Sequence, residues 1–347
     1  MKLSLLFLLA TLFLAPQTHA QTARIEIHAF RSTTLTDQQF LNGVKEGQPV
    51  TIAGELRLPR RGKDRLPVVV LLHGSGGLSG SHQRWAEELT GMGIAVFLVD
   101  SFTGRGIVST SASQESLGRL AMIIDAYRAL DLLAPDSRID ADKIAVLGFS
   151  RGGQSALYAS LRRFQKMHGP PGIEFAAYIP FYPSCNTRFR DDQNVTGRPV
   201  HIHHGLDDNY VPIEPCQAYV DRLHAAGKKN VVLSEYPGAH HSFDNPGNPM
   251  PVRAERSQST ALCTLQEDAS GVIVNSKTGK PFNYKDTCVR LGPTVGYNAE
   301  QHAAAVKSVK EFLAVVFRLP PPPVPAATAP APPAATAPAK PTAPAGK

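Results

Sequence analysis

The ten residues from Ile144 to Gly153, Ile-Ala-Val-Leu-Gly-Phe-Ser-Arg-Gly-Gly, limit the fold more than any other part of this sequence. The apolar run Ile144 to Leu147 reads as a strand buried on both faces, the kind found in parallel sheets. It passes directly into G-x-S-x-G, and a helix is expected to start immediately afterwards. In that setting Ser150 occupies a sharp, strained turn, where Gly148 and Gly152 remove side chains that would clash. Its hydroxyl then stands exposed above the sheet. The amide of Arg151 points to where negative charge develops when a carbonyl is attacked. A bare G-x-S-x-G is common by chance. The strand–turn–helix context is what makes it a specific signal of a serine nucleophile.

The rest of the chain agrees with a sheet of this kind. Gln48 to Pro59 alternates like a strand, and Leu66 to Leu72 is a second continuous apolar run. Ile94 to Val99, Phe175 to Phe181, Val200 to His203 and Val231 to Tyr236 follow as strands. Leu117, Leu120, Ile124, Tyr127 and Leu130 recur every three or four residues, as one buried helix face requires. Gln217 to Ala226 and Glu300 to Phe317 behave in the same way. Strand and helix in alternation, with no internal repeat, imply one α/β domain: a mostly parallel central sheet with helices on both faces.

Residues 1–20 read as an export signal: Lys2, then an apolar run from Leu3 to Ala15, then small residues at Thr18 and Ala20. That run is too short to span roughly 30 Å of hydrocarbon. The folded domain is expected over 21–319. From Pro320 to Lys347 the chain is almost entirely Pro, Ala and Thr, a composition unable to bury enough apolar surface to order itself. The 347 residues are 42% hydrophobic and 19% charged, which excludes a disordered protein, a collagen and a coiled coil. The net charge of +7 includes only one clear basic cluster, Arg57 to Arg65, read as a solvated loop, so a dedicated nucleic-acid binder is not expected.

Four cysteines, Cys185, Cys216, Cys263 and Cys288, contain no C-x2-C pair, and in an exported chain they imply two disulfides rather than zinc. The loops holding Cys185 and Cys216 leave neighbouring parallel strands at one edge, which favours Cys185–Cys216. Cys263 and Cys288 flank a stretch from Gly271 to Tyr284 that reads as a hairpin, within an insertion running from Asp244 to about Gly296. That hairpin would bring the two together. By contrast, only 15 residues connect strands from Ser184 to Arg198, so no large lid is expected there.

Other site candidates sit at strand ends. Leu72-His73-Gly74-Ser75-Gly76-Gly77 is a glycine-rich turn placed to supply a second oxyanion amide, from Ser75. It fits no phosphate-binding motif, and His73 is expected to pack structurally. An acid and a base should follow the serine in chain order. Asp207 and Asp208 lie beyond one strand, and His240 and His241 beyond the next. The residues alone leave both pairs open. His201, His203 and His204 fit no metal-ligand pattern and read as packed strand histidines, so neither metal nor cofactor is expected. Arg105, in the loop after Asp100, is a candidate contact for an anionic substrate, with a solvent-facing role as the alternative.

Gly148-Phe-Ser-Arg-Gly-Gly, Gly205-x-x-Asp208-x-x-Val-Pro and Tyr-Pro-Gly-Ala-x-His241-x-Phe resemble the dienelactone hydrolase family of α/β-hydrolases. His73-Gly-Ser-Gly-Gly and Asp100-Ser-Phe-Thr-Gly-Arg-Gly resemble its exported members. The resemblance runs from about residue 48 to the helix ending near residue 317. It implies the α/β-hydrolase fold, and its spacing selects Asp208 over Asp207 and His241 over His240. The family's founding enzymes carry a cysteine nucleophile. Ser150 needs a stronger general base than a thiol does, which suits an ester better than the lactone, so the expected substrates are carboxylic esters, or lactones. The implied chemistry is Ser-His-Asp acyl transfer on a small molecule. A peptidase or acyltransferase on the same triad, or a non-catalytic binding module, are the alternatives.

Overall fold

The computed structural model describes residues 22–60 and 65–320; the expected signal segment and the tail beyond Pro320 lie outside the described residues. In chain order the strands are β1 (Thr22–Thr34), β2 (Gln48–Pro59), β3 (Leu66–Leu72), β4 (Ala95–Asp100), β5 (Ile139–Phe149), β6 (Ala177–Phe181), β7 (Thr187–Arg188), β8 (Val200–Gly205) and β9 (Val231–Tyr236). All but β7 join one eight-stranded sheet, ordered β1-β2-β4-β3-β5-β6-β8-β9. Neighbours from β4 through β9 run parallel. Only β2 runs against both its neighbours, β1 and β4.

Helices α1 (Asp37–Leu41), α2 (Gly80–Thr90), α3 (Ala121–Leu133), α4 (Arg151–Tyr158), α5 (Arg162–His168), α6 (Glu214–Ala225) and α7 (Ala299–Phe317) cover the sheet. The continuous apolar strands follow from this arrangement. Val68, Val70 and Leu72 of β3 enter one core with residues of α3, α4, α5 and α6. Val69 and Leu71 enter a second core on the opposite face with Trp85 of α2 and Val309 and Leu313 of α7. A strand covered on both sides has no position for a polar side chain, and all seven residues of β3 are buried.

Two sequence expectations are corrected, and one strand is new. Arg57 belongs to β2 rather than to a solvated loop; it is 8% exposed and its Nε lies 2.5 Å from Glu55. The helix expected from Leu117 begins at Ala121. Leu117 and Leu120 are buried as their spacing required, but the Arg151 guanidinium takes the carbonyls of Leu117 and Gly118 that a helix would need. Finally, β1 carried no sequence expectation. Its isoleucines Ile25 and Ile27 point outward, 55% and 69% exposed, so its alternation has the wrong phase for a buried face.

The insertion after β9 is a nested ladder. Strand β10 (Val252–Arg253) pairs with β15 (Thr294–Val295), and β11 (Gln258–Ser259) pairs with β14 (Arg290–Leu291). Inside them β12 (Leu265–Glu267) and β13 (Ile273–Asn275) form an antiparallel pair, with β12 parallel to β7. The Gly271–Tyr284 stretch thus turns twice, first into β13 and then back through the bridge of Val274 to Pro281. Cys263 is bonded to Cys288 within this ladder, and Cys185 is bonded to Cys216, joining the loop after β6 to α6.

Candidate active site

Ser150 stands between β5 and α4 with φ 54° and ψ −112°, a strained conformation for a residue with a side chain. Its flanking glycines are demanded by crowding. A Cβ on Gly148 would lie 2.1 Å from the Gly152 carbonyl oxygen, and one on Gly152 would lie 2.4 Å from that of Leu72. The Ser150 amide donates to the carbonyl of Phe181 at the end of β6 (3.0 Å), which ties the turn to the neighbouring strand.

Asp208 and His241 reach Ser150 because β8 and β9 lie beyond β6 in the sheet and run parallel to β5, so the loops after them leave from the same edge. The two loops that follow them are laced together: the Leu206 amide donates to Tyr236 (3.0 Å) and the Asp207 amide to Ala239 (3.1 Å). His241 Nε2 lies 3.0 Å from Ser150 Oγ, and its Nδ1 lies 2.7 Å from Asp208 Oδ2. The other carboxylate oxygen, Oδ1, accepts from the amides of Tyr210 (2.9 Å) and Val211 (2.8 Å). Both side chains are buried, Asp208 at 4% exposure and His241 at 2%. Burial pushes the Asp208 carboxyl up, but the neighbouring His241 and His204 outweigh it and hold the group below the usual carboxylate range. The adjacent candidates turn elsewhere. Asp207 is exposed, and His240 Nδ1 lies 3.0 Å from the Asp207 carbonyl.

Ser75 and Arg151 both line the cavity beside Ser150. Arg151 opens α4, so its amide has no intrahelical acceptor, and among the described residues the Ser75 amide meets no backbone acceptor. The Arg151 side chain is a brace, donating to Gln114 Oε1 (2.6 Å) and to the Gln114 carbonyl (2.8 Å). His73 is fully buried: its Nδ1 donates to the Gly74 carbonyl (2.7 Å) and its Nε2 accepts from the Ser101 amide (3.2 Å). His201 bonds Ser234 and His203 bonds Tyr236 within the sheet.

Arg105 is a correction. Its side chain is 4% exposed and grips Asp125 through two nitrogens, at 2.8 and 2.9 Å. It also donates to Thr34 Oγ1 and the Ser101 carbonyl. A guanidinium consumed by these partners has little left to offer a substrate, and it does not line the cavities at Ser150.

Two tyrosines that were not singled out as site residues complete the site. The rings of Tyr182 and Tyr210 each lie 4.6 Å from the His241 ring, Tyr182 tilted at 56° and Tyr210 at 45°. Burial raises the pKa of both phenols, so they stay neutral beside the imidazole. Tyr210, two residues past Asp208 within the acid motif, was open to discovery from sequence; Tyr182, one residue past β6, carried no local signal.

Ser150 lies where two cavities meet. One, of about 50 Å³, is lined by Gln114, Arg119, Gln154 and, from the insertion, Gln258, Thr260 and Tyr284. The other, of about 290 Å³, holds His241, Tyr182, Tyr210, His82 and the insertion residues Ala254 and Val295. The insertion therefore walls both. The arrangement sets a hydroxyl, an imidazole and a carboxylate in hydrogen-bonded series, at the meeting point of the two cavities.

A profile of the family described as "Dienelactone hydrolase family" matches residues 52–270. A search of curated proteins finds no match. Among solved structures, a putative dienelactone hydrolase from Klebsiella pneumoniae is 13% identical with a TM-score of 0.52, covering 83% of this chain and 99% of its own. A dienelactone hydrolase-like promiscuous phosphotriesterase from metagenomic libraries is 20% identical with a TM-score of 0.52, over 84% of this chain and 98% of its own. Esterase 2 of Thermogutta terrifontis, phosphorylated by paraoxon, is 16% identical with a TM-score of 0.52, over 87% and 98%. At these identities the structural likeness speaks for the fold.

Proposed function

The chain belongs to the dienelactone hydrolase family, and we propose that it hydrolyses carboxylic esters through an acyl-enzyme on Ser150. The observation that carries this reading is the hydrogen-bonded series Asp208 Oδ2–His241 Nδ1, 2.7 Å, and His241 Nε2–Ser150 Oγ, 3.0 Å. His241 takes the hydroxyl proton as Ser150 attacks the ester carbonyl. Asp208 fixes the imidazole tautomer and stabilises the imidazolium that forms. The amides of Ser75 and Arg151 receive the developing oxyanion. His241 then gives its proton to the leaving alcohol, and water repeats the sequence to release the acid.

The two cavities suit the two halves of an ester. The leaving oxygen must come within reach of His241 Nε2 to be protonated, so the alcohol part belongs in the larger cavity that contains His241. The acyl part is left with the smaller cavity, whose 50 Å³ and polar lining suit a short chain. Two disulfides, with no free cysteine among the described residues, support an oxidising compartment and hence export. None of the described helices is long and apolar enough to cross a membrane.

The test is a fluorophosphonate that reacts with activated serines, run beside hydrolysis of p-nitrophenyl acetate. Wild type should label at Ser150 and turn over the ester. Ser150→Ala should lose labelling and about 10³-fold or more in turnover, because triad members act as a unit. Equal labelling of both proteins would overturn the assignment.

A further inference from the structure

Asp244 is a buried carboxylate three residues beyond His241, 2% exposed, that the chemistry above does not use. Among the described residues its side-chain partners are not cations. Its two oxygens instead accept from neutral donors: Trp85 Nε1 of α2 at 2.7 Å and Tyr182 Oη at 2.6 Å. Tyr182 is the ring lying against one side of the His241 imidazole. A carboxyl group so buried, held only by an indole and a phenol, is costly unless the bonds it makes are needed.

The backbone shows why they are needed. Five described non-glycine residues have positive φ, and three of them are Ser150 (54°), Tyr182 (36°) and Ser242 (60°). These are the nucleophile, the residue whose ring packs on the imidazole, and the residue next to His241. Strained conformations persist only where the surroundings over-determine them. The Tyr182 amide is fixed by the His203 carbonyl at 2.7 Å, which leaves the far end of its side chain to be held by Asp244. Asp244 belongs to the His241 loop, so one carboxylate ties that loop to Tyr182 and to α2 at once.

We propose that Asp244 is a positioning residue for His241, acting through Tyr182 and anchored by Trp85; this rests on the triad reading. It contacts neither the reacting atoms nor the Ser150 proton. Its work is to keep the imidazole from rotating out of line between Asp208 and Ser150.

Asp244→Ala and Asp244→Asn are to be compared for kcat and KM on p-nitrophenyl acetate, with active enzyme counted by fluorophosphonate titration. Asp244→Ala should lower kcat about 100-fold, the cost of a displacement on the scale of 1 Å, with KM within about threefold. Asp244→Asn should stay within about fivefold of wild type, since its oxygen can accept from Trp85 while its amide donates to Tyr182 Oη. That rescue is not expected of a carboxylate needed for its charge. Should Asp244→Ala not fold, Tyr182→Phe carries the test, keeping the ring while losing the bond, with an expected fall of about tenfold in kcat. The proposal is overturned if Asp244→Ala, or in its place Tyr182→Phe, keeps kcat within threefold, or if Ala and Asn are equally impaired. Ser150→Ala separates the two readings. Turnover surviving there overturns the triad itself; turnover lost there but kept in Asp244→Ala overturns only the positioning role.

Discussion

Replacing Asp208 with asparagine should do more than remove a charge, because the structure dictates which way the new amide points. Oδ1 of Asp208 accepts two backbone N–H groups, from Tyr210 and Val211. An asparagine must keep its oxygen there, since the reverse orientation would press an NH2 against two donors. The NH2 is then aimed at His241 Nδ1, which now lies 2.7 Å from Oδ2. Nδ1 becomes an acceptor, the ring proton moves to Nε2, and Nε2 can no longer take the Ser150 proton. Reaching the reactive tautomer sets two buried donors against each other, at about 1–3 kcal/mol for each unsatisfied group, and the imidazolium forfeits a charged hydrogen bond worth about 1.5–3 kcal/mol. A total of about 3.5–9 kcal/mol corresponds to a loss in kcat between several hundred-fold and about 10⁶-fold. Steady-state hydrolysis of p-nitrophenyl acetate measures it, with KM expected within about threefold. Asp207→Asn, at an exposed neighbour, should remain within about twofold to threefold, as surface changes generally do. An Asp208→Asn enzyme within tenfold of wild type, or equal losses at the two positions, would refute the tautomer argument.

Two other outcomes follow from the geometry. Burial lowers His82 to about 3 and His201 to about 4, so each stays neutral in the folded chain and binds its proton near 6.5 in the unfolded one. The unfolded state therefore takes up protons first as pH falls. Stability should be full above about 6.5 and decline toward 4, by up to about 1.4 kcal/mol per pH unit per histidine; a melting temperature unchanged between pH 7 and 5 would contradict this. Tyr284 lines the smaller cavity from the insertion, and Tyr284→Ala should raise the hexanoate-to-acetate ratio of kcat/KM about tenfold, one mismatched methylene being worth about 1–3 kcal/mol. An unchanged ratio across a p-nitrophenyl ester series would remove the acyl role from that cavity.

What the sequence made legible follows from range. The turn at Ser150 is written locally, because Gly148 and Gly152 are required by atoms of β3 and α4 that any chain of this pattern places there. The parallel strands were legible because burial on both faces leaves an unbroken apolar run, as in Leu66–Leu72. Both disulfides follow from topology, one between loops on a shared edge and the other across a nested insertion. Arg105 was misjudged for the opposite reason. Its loop does lie near the edge of the sheet, but Asp125 in the interior of α3 captures its side chain, and nothing in the loop's own residues encodes that capture.

The same distinction explains why Tyr182 and Trp85 escaped notice while Asp208 and Ser150 did not. Asp208 is tied to His241 by chemistry that sequence rules can name: an acid, then a base, after successive strands. Tyr182 and Trp85 are tied to it by packing, and packing has no residue code. Trp85 lies 156 positions before His241 in the chain and meets its loop only because α2 and the loop cover one face of the sheet, bonding through Asp244. A tyrosine after a strand is by itself as ordinary as any surface phenol. What marks Tyr182 is a backbone conformation that side chains rarely adopt, φ 36°, together with a hydroxyl spent on a buried carboxyl group. Strain and a buried carboxyl group bonded to neutral donors are properties of the folded chain alone, and their coincidence beside His241 is what separates the proposed positioning role from ordinary core packing.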